Sequence, residues 1–198
     1  MARVFDIFDP DHSPTPPKDI TQCRFGFAKT DQFDSGASDD VKSIWTRAQD
    51  LLTQAGAQVE EVDLGREFDG AGGRGGKIAA MSEAEGRVNF LREYRVGKDK
   101  LDSLLHEWVE NKRGLSRKEV VQIQDEIAAL RPRIDEIAGR YDALITPSVI
   151  GEAPAGTEST GSPQFCALWT GLHVPVINIP GFAGSTGMPI GLTLVCPR

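Results

Sequence analysis

Two short apolar runs joined by one amphipathic helix constrain the fold of this chain more than any other feature. Arg24 to Lys29 places Phe25 and Phe27 on one face of a strand. Asp39 then opens a helix with Val41, Ile44, Trp45, Ala48, Leu51, Leu52 and Ala55 at helical spacing. Gly56 stops the helix, and Gln58 to Leu64 follows as a second strand rich in Val and acids. A strand, crossover helix, strand unit pairs its strands in parallel, which commits residues 24–64 to an α/β architecture.

Downstream, Gly70 to Gly76 reads as a flexible turn, and Lys77 to Arg95 as a helix weakened by Gly86. Lys98 to Asn111 sets Leu101, Leu104, Leu105 and Trp108 on one stripe, predicted to be buried. Ser116 with Glu119 forms a capping box for a helix whose stripe is Val120, Ile123, Ile127, Leu130, Ile134 and Ile137. That stripe covers too few heptads for a coiled coil and contains Pro132, so it predicts a helix packed on a sheet or on its neighbour. Asp142 to Thr146 is a short strand ended by Pro147. Gln164 to Leu172 is a brief helix, and Val174 to Pro180 and Ile190 to Val195 are two more apolar strands. Strands without polar alternation are buried on both faces, which predicts one mixed, mostly parallel sheet flanked by helices.

Composition excludes several classes. With 22 basic against 29 acidic residues the net charge is -7, which repels phosphate backbones and anionic lipid, so no nucleic-acid partner is expected. No stretch reads as a membrane span. The three cysteines, Cys23, Cys166 and Cys196, are odd in number and widely spaced, which supports neither a disulfide framework nor a thiolate zinc site and points to a reducing compartment. Met1 to Pro17 lacks the features of a leader peptide, so the expected location is cytoplasmic.

Few motifs carry chemistry. Gly70, Gly72 and Gly75 satisfy G-x-G-x-x-G, but Gly65 to Asp69 separates them from the preceding strand and Asp69 places negative charge where phosphates would sit. Nucleotide binding is the weakest of the readings entertained, and no cofactor is expected. His12, His106 and His173 have no metal-ligand spacing. Cys166 and His173 flank the brief helix without an orienting acid, and Cys166 reads as a buried small hydrophobe. Glu60, Glu61 and Asp63 alternate along a strand and read as a solvated face, not a glycosidase pair. Ser159, Ser162 and Ser185 lie in glycine-containing loops outside any G-x-S-x-G, and Lys29 has no identifiable serine partner.

The final third holds the sharpest pattern: Tyr141-Asp142-Ala143-Leu144-Ile145-Thr146-Pro147, Phe165-Cys166-Ala167-Leu168-Trp169-Thr170-Gly171-Leu172, Val174-Pro175-Val176-Ile177-Asn178-Ile179-Pro180-Gly181-Phe182 and Gly187-Met188-Pro189-Ile190-Gly191-Leu192. In that order and spacing it resembles the C-terminal half of the amidase signature family, the Ser-Ser-Lys amide hydrolases. Arg24 to Ala28 with the unit to Leu64, Ser82-Glu83-Ala84-Glu85, and Met1 to Pro10 are similar to preceding parts of the same family. The resemblance implies a partial amidase-signature fold in one domain fragment over 1–198. Its parts are a short helical start and extended connector to residue 23, the unit at 24–64, a helical region at 77–140 and a sheet-core segment at 141–198.

The family's chemistry uses a serine activated through a second serine by a lysine, with a Gly-Gly-Ser-Ser segment serving the oxyanion. The resemblance places all of these before Met1. Gly72-Gly73-Arg74-Gly75-Gly76 offers no nucleophile, and Thr193 stands where many members have Gln. The expectation is therefore the C-terminal segment of an amidase-type hydrolase cleaving carboxamides, cut short by a split gene or a shortened reading frame and inactive alone. The alternative is a non-catalytic subunit that completes or regulates an amidase-like partner. Thr146 and Pro147 at a strand's carboxyl end, with Phe165 and Trp169, are the expected substrate walls. Plain core packing is the competing account of Phe165 and Trp169. Without its neighbours, Val174 to Ile179 would be exposed, predicting aggregation or dye-binding, partly folded states.

Overall fold

A computed structural model describes residues 16–73 and 75–198. The expected helical start, most of the connector and His12 lie outside the described residues. The chain enters extended at residues 16–19, and a 3-10 turn, Ile20–Gln22, leads into β1, Arg24–Ala28. After a single helical turn, α1 (Phe33–Gly36), helix α2 (Asp39–Gln54) crosses back to β2, Gln58–Val62, which pairs with β1 in parallel. Helix α2 starts where it does because the Ser38 side chain accepts the Val41 N–H at 3.3 Å, and Asp39 and Asp40 complement the first-turn dipole.

The helical region differs from its sequence reading in two places. Instead of one helix to Arg95, α3 (Lys77–Asn89) breaks at Phe90 and α4 (Leu91–Gly97) follows. Gly86, read as a weak point, is a packing contact: a Cβ there would collide with the Trp108 ring. The Lys98 to Asn111 stripe is not buried. Asp102 accepts the Leu104 N–H at 2.8 Å and starts α5 only at Ser103–Val109, leaving Leu101 outside the helix and Leu104 52% exposed. The long helix α6, Arg117–Ala138, has the expected capping box: Glu119 N–H donates to Ser116 Oγ at 3.2 Å and Ser116 N–H donates to Glu119 Oε2 at 2.8 Å. Pro132 lies on its exposed face.

From α6 the chain enters β3 (Ala143–Pro147), the short helix α7 (Ala167–Leu172), then β4 (Val176–Ala183) and β5 (Pro189–Val195). The sheet order is β2-β1-β3-β5-β4; only β5 runs against the others, so the sheet is mixed and mostly parallel. On one side α2 packs Val41, Ile44, Trp45 and Ala48 against Phe27, Ile145, Ile190 and Leu192. On the other, α6, α7 and α3 pack Ile127, Ile134, Leu168, Trp169 and Ile78 against Ala28, Leu144 and Val195. Gly26 leaves room on that face for its neighbours in the sheet, since a Cβ would lie 2.7 Å from the Val62 side chain on β2 and 2.8 Å from the Leu144 side chain on β3.

Two-sided burial holds for β3, whose five residues are all buried, and for most of β5. It fails for β4. That strand is the last in the sheet, neither helical layer reaches over its first half, and Val176, Ile177 and Ile179 are 48%, 42% and 47% exposed. The exposure expected for Val174 to Ile179 holds from Val176 onward, while Val174 is buried in the cluster under α6. Among the described residues no helix is long and apolar enough to cross a membrane.

Candidate functional site

Side-chain alternation fixes what the carboxyl end of β3 presents. Thr146 points to the same side as Leu144, toward α6 and α7, while Pro147 points with Ile145 toward α2. Thr146 is in register with Thr193 on β5, and Thr193 with Asn178 on β4, so three polar side chains form one row across three strands. Ser148 joins it: its hydroxyl and that of Thr193 lie 2.8 Å apart, both buried. Thr146 Oγ1 is fully buried and finds no hydrogen-bond partner among the described residues, and neither does Trp169 Nε1 in the same layer. The row opens toward the uncovered strand, where Asn178 is exposed. Gly191 leaves the space that the Asn178 amide occupies.

The four predicted wall residues are all buried but do not meet in one pocket. Trp169 belongs to the cluster under α6, and Phe165 to the cluster under α2, 6.2 Å from the Phe33 ring. Thr146 shares its layer with Trp169, and Pro147 shares its layer with Phe165. Ser148 and Asn178 were not singled out from the sequence. Only the pairing of β3, β5 and β4 brings them together, because they lie 30 positions apart in the chain.

The other chemistry-bearing candidates are occupied structurally. A cleft of about 140 Å³ at the carboxyl ends of β1 and β2 is lined by Thr30, Asp31, Asp63 and Asp69. There Asp31 accepts the Gly70 N–H at 2.9 Å and Asp63 accepts the Gly65 N–H at 2.8 Å. The glycine run folds back on itself, with Gly76 N–H donating to Gly73 O at 2.8 Å, so it is a closed turn. Glu60 is held by Arg24 at 2.8 Å and by the Tyr141 hydroxyl at 3.2 Å. The Arg24 hydrogen bonds keep its carboxyl below the usual range, while burial raises the Tyr141 phenol.

The loop serines are equally committed. Ser159 and Ser162 accept backbone N–H groups of Gly161 and Gln164, and Ser185 donates to Asp40 at 3.0 Å. Lys29 lies over the Phe33 and Trp45 rings. Among the described residues no serine hydroxyl bonds a lysine or histidine, and no group of three His, Cys, Asp or Glu is placed to hold a metal. Cys166 is exposed, not buried as expected, because it stands at the amino end of α7 with its thiol turned to Pro163 O, 3.2 Å away. His173 instead faces Arg131, whose Nη2 lies 3.2 Å from its Nε2.

No protein-family model and no curated protein sequence matches the chain. Solved structures do. An amidase matches with TM-score 0.75 and 21% identity over 98% of this chain and 46% of its own. A bacterial aryl acylamidase of the amidase signature family matches with TM-score 0.64 and 18% identity, over 98% and 45%. A 6-aminohexanoate cyclic dimer hydrolase matches with TM-score 0.67 and 17% identity, over 93% and 45%. The chain thus spans less than half the length of these enzymes, and over that length its fold is the α/β fold of the amidase signature enzymes.

Proposed function

We propose that this chain is the C-terminal segment of an amidase-type hydrolase that cleaves carboxamide bonds, and that it has no activity by itself. The observation that carries the reading is the match of 98% of the chain to 46% of an amidase, combined with the lack of any serine primed by a base among the described residues. Amide hydrolysis needs a nucleophile to add to the carbonyl carbon and a proton donor to expel the amine. Here Ser159 and Ser162 accept loop N–H groups and Ser185 donates to Asp40. In this reading the chain supplies scaffold and substrate wall. Thr146 and Trp169 contribute from the α6 and α7 layer, Pro147 and Phe165 from the α2 layer, and the catalytic serines and lysine come from the remaining part of the fold.

The test is turnover of a simple aryl amide by highly purified chain, alone and joined to a segment bearing Gly-Gly-Ser-Ser and lysine. The expected result is hydrolysis only in the joined form. Turnover by the chain alone that disappears in Ser185→Ala would overturn the reading.

A further inference from the structure

The tip of the β4–β5 hairpin is held by carboxylates from two other parts of the chain. Thr186 N–H and Met188 N–H donate to Glu152 Oε1 at 3.1 and 3.0 Å, and the Thr186 hydroxyl donates to Glu152 Oε2 at 2.7 Å. Ser185 N–H and its hydroxyl donate to Asp40, in the first turn of α2, at 3.1 and 3.0 Å. The turn is shaped to receive Glu152: a Cβ on Gly184 would lie 2.5 Å from that side chain. Hydrogen bonds to an ionised acceptor are stronger than neutral ones, so the tip is fixed although Ser185 and Thr186 are exposed.

Glu152 belongs to the segment between β3 and α7, which is fixed on both sides of a loose stretch. Before that stretch, Ser148 bonds Thr193 in the buried polar row, and Ile150 O accepts the Ser38 N–H at 2.7 Å. After it, Ser162 accepts the Gln164 N–H and Phe165 is fully buried. Between them residues 153–161 are all exposed, and their one hydrogen bond among the described residues is internal, from Gly161 N–H to Ser159 Oγ at 3.2 Å. The ends of the stretch approach each other, since a Cβ on Gly161 would lie 3.6 Å from Pro154, which makes it a compact strap of the Ω type. The strap leaves the sheet just past Thr146 and Pro147 and returns at Phe165, so three of the four proposed wall residues stand at its roots. Glu152 is the last fixed point before it.

We infer that Glu152 is a positioning residue of the amidase-type site: by latching the loop after β3 to the β4–β5 hairpin, it sets where the strap 153–161 stands at the carboxyl end of β3, an inference that rests on the reading above. The strap, not Glu152, meets the substrate. Releasing the latch lets the strap swing out from its other root at Phe165, which removes a binding wall and leaves the reacting groups, supplied by the remaining part of the fold, in place. A wall that holds substrate and transition state equally acts on KM and spares kcat.

The experiment compares the full chain with its Glu152→Ala, Glu152→Gln and Gly184→Ala variants. It reads amide exchange by NMR, cleavage after Glu158 by a glutamate-specific protease, and aryl amide hydrolysis in the joined form. In Glu152→Ala the Thr186 and Met188 amides should exchange, and Glu158 should be cut, at least about tenfold faster. The Cys196 amide, bonded to Pro175 O at the far end of the same hairpin, should not change. Gly184→Ala keeps the carboxylate but fills its seat and should copy Glu152→Ala, whereas Glu152→Gln keeps an acceptor oxygen and should retain most of the protection. In the joined form Glu152→Ala should raise KM at least about tenfold with kcat within about twofold. Unchanged exchange and cleavage in both alanine variants, an equal loss of protection at Cys196, or an unchanged KM would each overturn the inference. A joined form that hydrolyses nothing even with Glu152 in place removes the amidase reading, and exchange and cleavage then decide the latch by themselves.

Discussion

The Ser148 hydroxyl lies 2.8 Å from the Thr193 hydroxyl, both out of water, and ties the segment after β3 to the middle of β5. Among the described residues neither group has another side-chain partner, so each depends on the other. Thr193→Val should cost about 1–3 kcal/mol by stranding the Ser148 hydroxyl, and adding Ser148→Ala should recover most of that loss. Urea denaturation of the two single variants and the double variant measures it. Additive losses would show that the two hydroxyls are not coupled.

Thr146 presents the opposite case. Its buried Oγ1 makes no bond among the described residues, so Thr146→Val should leave stability unchanged or raise it by up to about 1–3 kcal/mol. In a reconstituted amidase the same variant should lower kcat/KM if the hydroxyl serves the substrate. A thermal melt and steady-state kinetics on one preparation separate the two effects.

Gly86 sets helix propensity against packing. Alanine in a helix is favoured over glycine by about 1 kcal/mol, but at this position its methyl would enter the Trp108 ring. Gly86→Ala should therefore destabilise the protein in its native background and stabilise it when Trp108→Ala has removed the ring. Denaturant midpoints of the four proteins test this reversal of sign.

The Glu110 carboxyl is drawn down to about 2 by hydrogen bonds from Lys98, at 2.8 Å, and from the Tyr94 hydroxyl. Its folded value is below its ordinary 4.5, so its contribution is complete above the ordinary range and fades as pH falls from there toward 2. An NMR titration of the side chain should find its midpoint near 2, and Lys98→Met should move it upward. An ordinary midpoint in the unaltered protein would refute the contact.

Isolated chain should bind hydrophobic dyes and self-associate as its concentration rises, because Val176, Ile177 and Ile179 form an uncharged exposed strand. Light scattering should fall in the Ile177→Lys, Ile179→Lys variant with no loss of the cooperative melt. Equal scattering in both would place the sticky surface elsewhere.

Local chemistry is what the amino-acid order determined by itself. The unit β1-α2-β2 follows from apolar spacing between Phe25 and Leu64. The start of α6 follows from Ser116 and Glu119, because a cap and a helical stripe involve only residues a few positions apart. The likeness of the last third to amidases was legible too, as an ordered set of short runs. What only tertiary structure decided involves distant partners. Leu104 is exposed because Asp102 wins the helix start, and Gly86 is indispensable to a ring 22 positions away. Ser148, Thr193 and Asn178 stand in one polar row because β5 inserts between β3 and β4. The apolar character of Val176 to Ile179 was plain from the sequence. Its exposure depends on the end of the sheet, since burial belongs to the neighbours a strand has and not to the strand.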